Sequence, residues 1–93
     1  MEIPASILMS SGMHAYVAVK ASLHAEHSSI FGLNEIETNA LVKRFNGYRK
    51  DVVNGVLLKG SPIDIVNALG ELGYRVISST GETDVVWTLQ RDI

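Results

Sequence analysis

The chain has no cysteine, so disulfides, thiol catalysis and cysteine-ligated zinc are all excluded. Aromatic residues are scarce, at 6% of the chain against 46% hydrophobic overall, which makes the apolar content mostly aliphatic. No run of apolar residues approaches the length of a membrane span. The N-terminus lacks the basic region of a secretory signal. Positive charge is not in excess either: Lys and Arg number 8, Asp and Glu 10, for a net charge of -2. Nucleic-acid binding needs a concentrated basic surface, so composition gives no reason to expect that partner.

What is present fits one domain, because 93 residues leave no room for a second core. A domain this small buries only a modest share of its surface. Some of the abundant aliphatic residues are therefore expected to cover a subunit interface.

Residues 1–12 read as an extension ahead of a single domain over 13–93, with Ile7, Leu8 and Met9 as its only apolar run. From Tyr16 to Glu26, Val17, Val19, Ala21, Leu23 and Ala25 alternate with Tyr16, Ala18, Lys20, Ser22, His24 and Glu26. That period of two predicts a strand with one face on a core. Ser28, Ser29 and Gly32 then mark a loop over 27–33. Asn34 with Glu37 makes a capping box, and Ile36, Ala40, Leu41 and Phe45 supply the apolar face of a helix stopped by Asn46 and Gly47. Tyr48 to Lys59 reads as extended chain, with a turn or bulge at Asn54 and Gly55.

The last third is the most informative. Ser61 is a good N-cap, Pro62 suits the first helical position and Asp64 completes the box. Ile65, Val66, Leu69 and Leu72 form an apolar stripe, and Gly73 ends the helix. Two strands, Tyr74–Ser79 and Val85–Arg91, follow around a short connection, which implies an antiparallel hairpin with Trp87 facing the core. The fold expected is α+β: a mostly antiparallel sheet with two helices packed on one face.

Candidates for chemistry are few. His24, Ala25, Glu26 and His27 bring only two ligands together on a strand, fewer than zinc requires. Ser78, Ser79 and Thr80 lack an evident histidine and carboxylate, and Gly70 to Gly73 lies at a helix end, unlike a phosphate loop. Glu82 and Asp84 read as solvated turn residues. Lys43, Arg44, Arg49 and Lys50 form a basic cluster that suits a helix C-terminus better than a partner site. No enzyme is expected, and no metal or cofactor.

Pro62, Ile65, Val66, Leu69, Leu72, Gly73-Tyr74-Arg75-Val76, Thr80-Gly81 and Val86-Trp87 stand in the order and spacing of a known pattern. In it the chain resembles the GTP cyclohydrolase I feedback regulatory protein family, from Met13 to about Leu89. The resemblance implies a homopentameric ring that docks on GTP cyclohydrolase I. It implies feedback inhibition of that enzyme by tetrahydrobiopterin, reversed by phenylalanine, in the cytoplasm with the nucleus as a second compartment. It also implies a ligand and partner site lined by Leu23, His24, Ala25 and Glu26 and, from the last hairpin, Glu82, Thr83 and Asp84. Glu26 matches a family glutamate. The hairpin departs from the family's Thr-Gly-x-Gly-Gln-Thr, being one residue shorter and without the glutamine, whose carboxamide suits an amino-acid ligand. Weaker or altered phenylalanine control is the expectation. The alternative is a stand-alone, homo-oligomeric small-metabolite-binding module not tied to that enzyme. A small tautomerase-like enzyme is disfavoured because Met1 is followed by Glu2 instead of proline.

Overall fold

A computed structural model describes residues 14–92; the expected extension over 1–12 lies outside the described residues. The elements run β1 (His14–Ser22), β2 (Ser28–Phe31), α1 (Glu35–Arg44), β3 (Arg49–Val52), β4 (Gly55–Leu58), α2 (Pro62–Glu71), β5 (Arg75–Thr80) and β6 (Asp84–Asp92). The strands form one sheet in the order β3-β4-β2-β1-β6-β5, and every neighbouring pair is antiparallel. The expected α+β layering is what forms.

The core sits between one face of the sheet and both helices. Val17 and Val19 of β1 lie opposite Leu89 and Trp87 of β6, and Val19 also faces Ile30, which faces Val56. Leu41 of α1 and Ile65, Ala68 and Leu69 of α2 close over them in a single apolar cluster. Trp87 is a core residue, as its place in the alternation predicts.

Helix α2 forms as its sequence demands. The Ser61 hydroxyl accepts from the Asp64 amide at 3.2 Å, and Pro62 occupies the first turn. Ile65 and Leu69 are 0% exposed, and each such aliphatic side chain contributes about 2 kcal/mol on burial. Gly73 ends the segment at φ 94°, a conformation side chains rarely adopt.

Helix α1 starts as predicted, with the Asn34 carboxamide accepting from the Glu37 amide at 2.8 Å, and the expected Leu41 and Phe45 pack on the core, but the rest of the buried face differs. Ile36 is 82% exposed and Ala40 is exposed, while Glu37, Thr38 and Leu41 point inward. The reason is a polar lock. The Glu37 carboxylate accepts from the Tyr74 hydroxyl at 3.1 Å and from the Arg91 guanidinium. Arg91 also donates to the Leu72 carbonyl at 3.0 Å and stands 4.3 Å over the Tyr74 ring. Burial, with the adjacent Glu37 carboxylate, pushes the Tyr74 phenol above its ordinary pKa. The Thr38 hydroxyl donates to the Asn34 carbonyl at 2.8 Å, so the polar side of the helix is satisfied as it faces inward.

Two strand expectations are corrected. The first strand ends at Ser22, not Glu26, because the chain turns there, with the Ala25 amide donating to the Ser22 carbonyl at 3.0 Å. The segment expected as a loop contains β2, which pairs with both β1 and β4. Its Ile30 fills the core, and its Ser28 hydroxyl donates to the Gly60 carbonyl at 2.8 Å. The stretch after α1 resolves into a strand pair, β3 and β4, turning at Val53 and Asn54.

Among the described residues, no helix covers the other face of the sheet. One row crosses it from edge to edge as Lys50, Leu57, Ser29, Lys20, Val86 and Thr80. Edge strand β5 is exposed along its length and breaks register between Val76 and Ser78.

Candidate functional site

The longest pairing in the sheet decides where the predicted site residues fall. Strands β1 and β6 pair from His14↔Asp92 to Ser22↔Asp84, so the end of β1 and the turn between β5 and β6 arrive side by side. The Ser22 hydroxyl donates to the Asp84 carboxylate at 2.9 Å and ties the two together. Leu23 and His24 occupy the turn directly after β1, with Leu23 47% exposed. Ala25 is half-buried and Glu26 exposed at the approach to β2. Across the seam, Glu82 and Thr83 form the exposed tip of the last hairpin, and Asp84 opens β6. The turn needs glycine at its corner: Gly81 has φ 112°, and a Cβ there would collide with the Asp84 carbonyl oxygen.

The chemistry available at this end of the sheet is mostly anionic. Glu26, Glu82 and Asp84 accept hydrogen bonds, and His24 is the one side chain of the group able to carry positive charge. Such a set suits an ammonium group or an amide donor better than a carboxylate. His27 turns elsewhere and packs edge-on against the Tyr48 ring at 5.4 Å. Among the described residues no group of three or more His, Asp or Glu side chains is placed to hold a metal ion.

The expected basic cluster is dispersed. Arg44 pairs with Glu71 of α2 at 2.7 Å, tying the two helices together. Arg49 reaches Glu35 at 2.8 Å and Asp51 at 3.0 Å, and these carboxylates, Glu35 foremost, hold its guanidinium above its ordinary pKa. Lys50 lies on the opposite face of the sheet from Arg49, because adjacent strand residues alternate.

Beside Arg49 lies a concavity of about 320 Å³ that sequence reasoning missed. Ile30, Leu33 and Val56 give it an apolar floor, while Thr38, Arg49 and Asp51 supply the polar groups. The missing signal was tertiary: Asp51 is a same-strand neighbour of Arg49, but Glu35 reaches Arg49 only once α1 packs beside the β3–β4 hairpin. Comparison with known proteins finds no family model, no curated protein and no solved structure that matches the chain.

Proposed function

We propose that this chain is a non-catalytic regulatory adaptor that docks on GTP cyclohydrolase I as a homopentameric ring. In this reading it mediates feedback inhibition by tetrahydrobiopterin and a weakened or altered response to phenylalanine. The observation that carries the reading is the Ser22↔Asp84 register. It brings the two segments that the resemblance assigns to ligand and partner binding to one end of the sheet. The residues of the resemblance also do recognisable structural work: Pro62 starts α2, Leu69 fills the core, Gly73 takes a left-handed turn and Trp87 joins the core cluster.

Regulation then follows from linkage. An adaptor that prefers one state of the enzyme shifts its population, and a ligand at the shared interface strengthens or weakens that preference by its own differential affinity. Glu82 and Asp84 stand where an amino-acid carboxylate would otherwise find an amide donor, which disfavours phenylalanine. The test is light scattering of the chain with and without GTP cyclohydrolase I, followed by enzyme assays with tetrahydrobiopterin and phenylalanine. A ring that forms a larger complex and deepens tetrahydrobiopterin inhibition is expected. A monomer that leaves the enzyme's mass and activity unchanged overturns the reading.

One observation favours a stand-alone metabolite-binding module: the concavity beside Arg49, which combines an apolar floor with both signs of charge. Saturable binding of a small zwitterion there in the absence of any enzyme would support it.

A further inference from the structure

Sorting charges by the face of the sheet separates two populations. On the helix side each arginine has a carboxylate: Arg44 meets Glu71, Arg49 meets Glu35 and Asp51, and Arg91 meets Glu37. On the open face lie Lys20, Lys50 and Arg75, placed there by their pairing with Val86, Leu57 and Gln90. Among the described residues these cations enter no ion pair. Asp84 and Asp92 stand at the two ends of the same face, and each is already engaged, by the Ser22 hydroxyl and by His14. In a chain of net charge -2, cations thus outnumber carboxylates three to two on this face, with the carboxylates confined to its ends.

The middle of that face is flat and uncharged. Ala18 sits between Phe31 and Thr88, and Gly55 lies beyond Phe31. Ala18, Phe31 and Leu57 are half-buried although no helix among the described residues covers them, because neighbouring strands screen them edge-on. Small side chains on a sheet face let another surface approach closely.

We propose that the open face of the sheet is the docking surface for an acidic patch on a partner protein, held by Lys20, Lys50 and Arg75 around the uncharged strip through Phe31 and Ala18. The identity of the partner rests on the adaptor reading above; the face and its charge do not. Spacing argues for a macromolecular surface: Lys20 and Lys50 stand three strands apart, roughly 14 Å, too far for one small anion to bridge. A nucleic-acid strand needs a denser basic track than these scattered cations provide. A second copy laid face to face would set like charges against each other.

The test starts with calorimetry of the full chain against GTP cyclohydrolase I at low and high salt. The triple variant K20E/K50E/R75E is expected to bind roughly a hundredfold more weakly at low salt, with the difference shrinking as salt rises. The control Lys43→Glu, on an exposed position of α1 across the sheet from the open face, is expected to bind like the wild type. Single variants Lys20→Gln and Lys50→Gln keep the experiment readable should the triple variant misfold. Equal binding of wild type and all open-face variants overturns the proposal while leaving the adaptor reading intact. If the wild type ignores the cyclohydrolase, the adaptor reading falls, and amide shifts on adding poly-L-glutamate decide the face. Shifts clustered at Ala18, Lys20 and Lys50 uphold it, whereas no shifts, or shifts on the helix side, overturn it. Tighter binding of an oligothymidylate than of polyglutamate, or self-association that the triple variant abolishes, overturns it in favour of nucleic acid or a second copy.

Discussion

The two helices cover the same face of the sheet but are held to it by different physics. Helix α2 docks through Ile65, Ala68 and Leu69, aliphatic side chains with almost no exposure. Helix α1 buries Leu41 beside Glu37 and Thr38, and it is anchored by the carboxylate that reaches Tyr74 and Arg91. Apolar docking is non-directional, while a buried carboxylate needs donors in the right geometry.

The contrast can be broken most severely at α2. Leu69→Ala should cost about 3–4 kcal/mol, measured by urea denaturation, since it opens a cavity in a site with no exposure. Glu37→Ala should cost about 2 kcal/mol, less than a fully buried pair would, because Arg91 keeps access to water. Combining it with Arg91→Ala should cost less than the two single losses summed, the remainder being the Leu72 and Tyr74 contacts of Arg91, and full additivity in that double-mutant cycle would mean the lock is not a unit. Asn34→Ala, which removes the α1 cap, should lower stability by about 1 kcal/mol.

A pH experiment sharpens the comparison further. The Tyr74 pKa is raised on folding, so the folded state holds that proton more tightly than the unfolded chain. Its contribution is intact below the unfolded value near 10 and is lost as pH climbs through the folded one. Tyr74→Phe should flatten that alkaline loss, read as the slope of the denaturation midpoint against pH. The smallest effect belongs to Ile36→Lys, which should change stability by less than about 0.5 kcal/mol because that side chain is solvated.

The same contrast explains what could be read from the amino acids. Helix α2, the closing hairpin and the place of Trp87 were legible, because N-cap, proline, apolar stripe, glycine stop and period two all agree locally. Only part of the inward face of α1, Leu41 and Phe45, was legible, since Ile36 and Ala40 mimic a core stripe and Glu37 finds its donors 37 and 54 residues away. Strand β2 was missed because Ser28-Ser29-Ile30-Phe31 offers one inward aliphatic residue and depends on two partner strands. The predicted site residues could be named from resemblance, but their meeting at one end of the sheet required the β1–β6 register. The concavity beside Arg49 and the cationic face likewise exist only after strands from distant parts of the chain are aligned.

The β1–β6 ladder joins residues 62 to 78 positions apart, so a ribosome must make nearly everything between them before β1 gains its second neighbour. Until then the backbone edge of β1 and the inward valines at 17 and 19 have nothing to cover them on that side. A nascent chain stalled ahead of Val85 is therefore a candidate for chaperone capture, and the speed of translation through α2 sets how long that exposure lasts.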